Sequence, residues 1–315
     1  MALEQTHSLA HRWKAWNQML FPEQNIFARS ISGPRQIALF VGLAIVFSGV
    51  GLLVPADGWV AYDWVNFFSR WVVPPFYPPW GPYLVAWLTW PGLVGLSLAA
   101  VSLAILKRAP HRLSAVGAFI ALPVFWTIFL GQLEGLIVLG LLALPWLTPF
   151  ALLKPQVSFF AFGARRSHLI AAVTTILVSM LIFGPWPLRM LAVESYFPEG
   201  RYPNNIGLGL WGAVVAVPLF WFSRGDMDML MTAGCFMTPR LLPYSLLPMV
   251  PGVARLPPRA AMVAGLLSWL PLSANWLGPG GWWLGWIFVG FVWLNLAGER
   301  YPHLKTHSRL RYLFL

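Results

Sequence analysis

Long apolar runs separated by short polar or proline-broken segments occupy most of the chain. They lie at about 36–54, 83–106, 113–130, 135–153, 168–183, 207–222, 260–277 and 282–296. Runs of roughly 17–25 apolar residues have the length of an α-helix that crosses a hydrocarbon core, whereas barrel strands would alternate in segments of about ten. The pattern therefore predicts an all-α, polytopic transmembrane helical bundle with about eight full spans. Two further apolar pieces, 229–237 and 241–253, are too short to span and flank Thr238-Pro239-Arg240, which reads as a broken helical hairpin. The piece at 155–163 reads as re-entrant or interfacial. Near the start, Leu9, Trp13, Trp16 and Leu20 recur at helical spacing among His11, Arg12 and Lys14, the signature of an amphipathic helix lying on a membrane surface.

The polar segments divide the chain into an N-terminal cytoplasmic or interfacial part (1–35), a transmembrane domain (36–297) and a basic cytoplasmic tail (298–315). Lys107, Arg108 and Arg112, then Lys154, Arg165 and Arg166, then Arg255 and Arg259 mark cytoplasmic ends by the positive-inside rule. That rule sets both termini inside and makes 55–82 and 184–206 the external loops. By the same count Lys154 is cytoplasmic and has a topological role only, and Asp226 and Asp228 sit in a solvated cytoplasmic loop. The composition agrees: 58% of the 315 residues are hydrophobic and only 10% charged, with 19 Trp, against about 25% charged in soluble proteins. The net charge of +11 lies between spans and at the ends, which points to topology and lipid headgroups and to no nucleic-acid partner. The single Cys235 excludes an intramolecular disulfide framework and a cysteine-rich metal site.

Polar groups embedded among spans are expensive and stand as candidate functional groups. The most conspicuous are in Gly131-Gln132-Leu133-Glu134, which opens an apolar run closing at Lys154-Pro155-Gln156. On the expected external side lie Asp57, Asp63, Glu134, Glu194 and Glu199, with Arg70, Arg189, Arg201 and, at the hairpin break, Arg240. A carboxylate can serve as general base towards a hydroxyl, and an arginine fork suits a phosphate. Together they suit sugar transfer from a lipid phosphate carrier.

Four ordered features resemble the polytopic GT-C glycosyltransferases, most closely family 87, which includes polyprenyl-phosphate-mannose-dependent α-1,2-mannosyltransferases. They are Tyr62-Asp63-Trp64 before Asn66-Phe67-Phe68; Phe76-Tyr77-Pro78-Pro79-Trp80 at the next span; Gly131-Gln132 running through to Lys154-Pro155-Gln156; and Thr238-Pro239-Arg240 followed by Tyr244, Pro248 and Pro251. The likeness covers about 54–253, and Asn204-Asn205-Ile206-Gly207-Leu208 is similar to a later span entry but lacks its serine. The resemblance implies an Asp63 that takes the acceptor proton during a single inverting displacement, with Asp57 as the rival base. It also implies a polyprenyl-phosphate-linked sugar as donor, a lipid or glycan acceptor, an integral plasma-membrane location with the active side external, and neither a metal nor another cofactor. Arg240 is the candidate for the carrier phosphate, with Arg201 and Arg189 as rivals; Gln132, Glu134, Tyr77, Tyr244 and Asn204 complete the candidate binding set, and Trp80 joins Tyr77 as a candidate groove residue. Glu134 departs from the family pattern, where a neutral polar residue is usual, and an arginine is its expected partner.

Two other classes answer to the same pattern. The chain is short for this family, which fits a catalytically degenerate scaffold with a membrane-protein partner. Polar helix breaks also line the pathways of small transporters or flippase-like proteins.

Overall fold

A computed structural model describes residues 33–73, 77–193 and 204–302. The predicted surface helix before residue 33, the tail beyond 302, and Arg201, Glu194 and Glu199 lie outside the described residues. Helices are the regular structure of the described residues, which contain no strand. Its principal helices are α1 (Gly33–Leu53), α2 (Trp90–Arg108), α3 (Arg112–Phe119), α4 (Leu122–Leu130), α5 (Glu134–Leu142), α6 (Arg166–Phe183), α7 (Trp186–Val193), α8 (Ala213–Ser223), α9 (Met227–Gly234), α10 (Pro258–Leu267) and α11 (Gly285–Arg300).

Among the described residues, five helical stretches are long and apolar enough to cross a membrane: α1, α2, α6, Pro258–Leu277 and Pro279–Arg300. A sixth is the pair α3 and α4 taken together, bent by 44°. The apolar faces of α1 and α6 are open: Ile45 on α1 is 68% exposed and Leu181 on α6 is 87% exposed. Such surfaces suit lipid rather than water. Eight full spans are not reproduced, because several runs that are continuous in hydrophobicity are broken in backbone. The expected span at 135–153 is the clearest case. Helix α5 has nine residues, about 13 Å at 1.5 Å per residue, after which the chain turns and doubles back. Gly140 permits the return: a Cβ there would stand 2.1 Å from the Ala151 backbone nitrogen. The run at 207–222 likewise yields only a short apolar helical stretch, Gly209–Ser223.

Helix α2 is the central strut. Thr89 caps it, its Oγ1 accepting from the Gly92 amide, and Pro91 occupies its first turn, where a missing N–H costs nothing. Its sides bury Leu93, Val94, Ala100, Val101, Ala104 and Ile105. Small residues set the approach of its neighbours: a Cβ on Gly95 would meet Ser48 of α1, and one on Gly135 would meet Ser97. Helices α3 and α10 touch backbone to backbone, since a Cβ on Gly117 would stand 2.5 Å from the Ala261 carbonyl. Gly117→Leu is therefore expected to lower stability by about 1–3 kcal/mol through overpacking. Thermal unfolding in detergent checks this, and an unchanged midpoint would show that the helices can part.

The two ends of α2 sit in different polar surroundings, about 27 Å apart by the helical rise. At the first, Trp90 donates to the Val54 carbonyl at 2.9 Å. At the second, Arg108 Nε lies 2.8 Å from Asp228 Oδ1. Arg255 also bridges Asp226 at 2.8 Å and Asp228 at 3.4 Å, and its Nε lies 3.4 Å from Glu299. Asp226 and Asp228 are thus buried members of an ion network, not parts of a solvated loop. Asp226 also caps α9, accepting from the Asp228 and Met229 amides. Cys235 is buried, as expected of a small core residue.

Candidate functional site

At the first end of α2 the chain between α1 and α2 folds back over the break between α4 and α5. Gly131 makes that break possible. It terminates α4 in the left-handed region at φ +72, and a Cβ would fall 2.6 Å from Trp64 Cβ and 3.1 Å from the Trp90 ring. Only glycine combines that backbone with that contact. The next residue, Gln132, donates its backbone N–H to the Thr127 carbonyl and turns its side chain towards the folded-back segment. There Ala61, held at positive φ, donates to the Phe129 carbonyl at 2.7 Å. This docks the turn leading into Trp64–Phe68 and brings Asp63, at its start, against Gln132. The Gln132 amide donates to Asp63 Oδ2.

A cavity of about 330 Å³ opens beside that contact, lined by Tyr62, Asp63, Phe67, Phe68, Val73, Tyr77, Gln132, Lys154, Gln156, Asn205, Arg240, Leu242 and Tyr244. Of the residues singled out in the sequence, Asp63, Gln132, Tyr77, Arg240 and Tyr244 thus share one wall system although they come from three distant parts of the chain. Asn204 is half-buried beside Asn205 and is not among the lining residues. Asp57 is exposed and serves its own turn, Oδ1 accepting from the Trp59 and Val60 amides at 2.9 Å each. Those bonds favour its charged form, so its carboxyl stays below the usual range, the Val60 bond having the larger effect. It lines no part of the cavity. Arg189, also absent from the wall, sits exposed on α7. Trp80 points away into the core, donating to the Pro149 carbonyl and meeting the Trp186 ring edge-on at 5.2 Å.

Lys154 corrects the topological reading. Its Nζ lies 2.6 Å from Glu134 Oε1 with both side chains buried, so the two residues occupy the same end of the bundle. The reason is the doubling-back of the chain after α5: a run read as one crossing returns its far end to its start. Glu134 consequently pairs with a lysine rather than the expected arginine. The ammonium also lies 4.6 Å from the centre of the Tyr244 ring and 6.0 Å from that of Tyr77, within cation–π range. Lys154 and its neighbour Gln156 were visible only as the end of a motif; the signal that marks them is a Lys-Pro-Gln turn directly after an apolar run.

Asn205 is another residue whose part emerges only in three dimensions. Its Oδ1 accepts from the Gly207 amide at 2.9 Å and the Leu241 amide at 2.8 Å, and its Nδ2 donates to the Pro239 carbonyl at 3.2 Å. The backbone adds a bond from Ile206 N to Leu241 O at 3.0 Å. This clamp holds the Pro239–Leu242 segment, and with it Arg240, at the cavity.

The electrostatics follow from partial burial. Asp63 lies outside the apolar spans, and burial pushes its carboxyl up to about 6. The Gln132 bond and the Lys154 charge pull in the opposite direction, and the Glu134 charge adds to the rise. A carboxyl in that range changes protonation near neutrality, which suits a general base. The Gln132 Oε1 atom and both polar atoms of the Gln156 amide are buried and have no protein hydrogen-bond partner among the described residues. Buried polar atoms are normally satisfied, and these three lie beneath the wall that Gln132 and Gln156 form rather than on its open surface. The arrangement can hold a polar, anionic group, bind hydroxyls through amides, and remove a proton at Asp63.

Comparison with known protein families, with curated proteins and with solved structures finds no match for this chain.

Proposed function

We propose that this protein is a membrane glycosyltransferase that moves a mannose-like hexose from a polyprenyl-phosphate donor to a lipid or glycan acceptor at the outer face. The observation that carries the reading is the convergence of Asp63, held by Gln132, with Lys154 and Arg240 around one cavity. The resemblance to GT-C family 87 supports it through the same residues. Asp63 takes the proton from the acceptor hydroxyl as that oxygen bonds to the sugar's anomeric carbon. The bond from that carbon to the phosphate oxygen breaks, and the phosphate leaves with the electron pair. Developing negative charge on a leaving phosphate is stabilised by fixed cations, here Lys154 and Arg240. Gln132 and Gln156 line the cavity, and amide side chains suit the sugar hydroxyls.

The test is to reconstitute the purified protein in liposomes with polyprenyl-phosphate mannose, labelled in the sugar, and a mixture of lipid and glycan acceptors. Label is expected to appear on an acceptor with release of polyprenyl phosphate. No transfer across a panel of donor sugars would overturn the reading and favour a non-catalytic scaffold. Movement of intact donor across the bilayer would favour a transporter.

A further inference from the structure

Lys154 and Glu134 differ in one respect that the transfer reaction does not use. Lys154 lines the cavity, whereas Glu134 stands behind it with no exposed surface. The ammonium has three donors, and among the described residues its hydrogen bond runs to Glu134 Oε1 at 2.6 Å. The other oxygen, Oε2, is buried with no protein partner among the described residues. A carboxylate with one oxygen unserved is an incomplete structural pair, since buried ion pairs stabilise only when the remaining lone pairs are also satisfied. Glu134 has separate support for its charge, because it lies in the first turn of α5, where the helix dipole favours an anion. Lys154 can therefore turn towards the cavity without leaving Glu134 wholly uncompensated.

We propose that Glu134 is a built-in counter-ion that holds the Lys154 ammonium at the cavity wall until the phosphate of an incoming phosphate ester takes its place. The ligand class rests on the glycosyl-transfer reading; the exchange itself rests on the geometry of the pair. Lys154 is then the anion-binding group, and Glu134 a positioning residue that competes with the ligand and so sets its affinity.

The experiment is calorimetric titration of the full chain in detergent micelles, in phosphate-free buffer, with a C20 isoprenyl phosphate, the matching isoprenol and inorganic phosphate. Glu134→Gln keeps the shape and removes the competing charge. It is expected to bind the isoprenyl phosphate about tenfold more tightly, as removal of one close charge contact warrants. Lys154→Met is expected to weaken binding by a similar factor or more. Because that variant leaves a buried carboxylate unpaired, the double variant Glu134→Gln/Lys154→Met supplies a neutral pair that tests the same loss in a folded protein. Isoprenol binding should not respond to Glu134→Gln. A tightening shared by inorganic phosphate assigns the subsite to the phosphate group itself, and one confined to the isoprenyl phosphate to a lipid-borne group; both support the exchange. Unchanged or weaker phosphate binding in Glu134→Gln overturns it, as does undiminished binding in the double variant. If the affinities shift as stated but the wild type transfers no sugar, the exchange stands and the glycosyl-transfer reading fails. If the wild type transfers sugar and the variants bind like it, the exchange fails alone.

Discussion

Asp63→Asn is expected to lower sugar transfer by about 10²–10⁴-fold, the usual contribution of a positioned general base, while leaving the fold intact. The asparagine keeps an oxygen that accepts from Gln132, so the contact that places the side chain survives. The wild-type rate should fall as pH drops through about 6, where burial has set the Asp63 carboxyl, because only the carboxylate accepts a proton. Stability should move in the opposite sense. The folded carboxyl titrates above its ordinary value of 3.8, so its contribution is intact below that value and is lost as pH rises through about 6. Asparagine removes that loss. The melting temperature of the variant relative to wild type should therefore rise between about pH 4 and about pH 7. Transfer assays and melting curves across pH check both signs. Full activity in Asp63→Asn would show that the base is elsewhere, and Asp57, tied into its own exposed turn, would still not reach the cavity.

Arg255→Met should produce the largest loss of stability, about 3–5 kcal/mol, the cost of breaking a buried ion pair by removing one partner. Arg255 is 5% exposed and faces Asp226, Asp228 and Glu299. Arg108 reaches Asp228 and Arg300 lies 3.9 Å from Asp226, so those carboxylates keep partial compensation. Glu299 loses its contact with Arg255. The network joins α2, α9 and α11 at the end of the bundle remote from the cavity, so the variant should unfold at lower temperature yet bind ligand with unchanged affinity while folded. Thermal melts paired with ligand titration separate these effects. A melting temperature equal to wild type would show that the network is not a structural clamp.

Much of the architecture follows from local pattern. The period and length of the apolar runs are enough for an all-helical bundle, since residue-by-residue hydrophobicity determines which surfaces can face lipid. Gly131-Gln132 announced a helix break, because a glycine before a polar residue inside an apolar stretch has few other uses. Asp63 stood out only as an acid among aromatics in a segment too polar to span, with Asp57 beside it, and its part as base came from the family resemblance. The count of crossings was not legible at that level. Hydropathy is insensitive to whether a run is one straight helix or a short helix that turns and returns, and 135–153 is the second. Arg108, Arg255, Asp226 and Asp228 read as surface charges because their neutralising partners are up to 120 residues away.

Sequence by itself determined that this chain is an apolar helical bundle and that polar groups interrupt it near Asp63, Gln132 and Arg240. Only the tertiary structure decided that they form one cavity. It also decided that Lys154 belongs there, paired with Glu134, while Asp57 does not. The physical reason is that burial and helix breaks are local properties carried by neighbouring residues. The approach of one charge to another across 20 or more residues depends instead on where the chain reverses, and here packing at Gly140 and the Gly131 cap set those reversals.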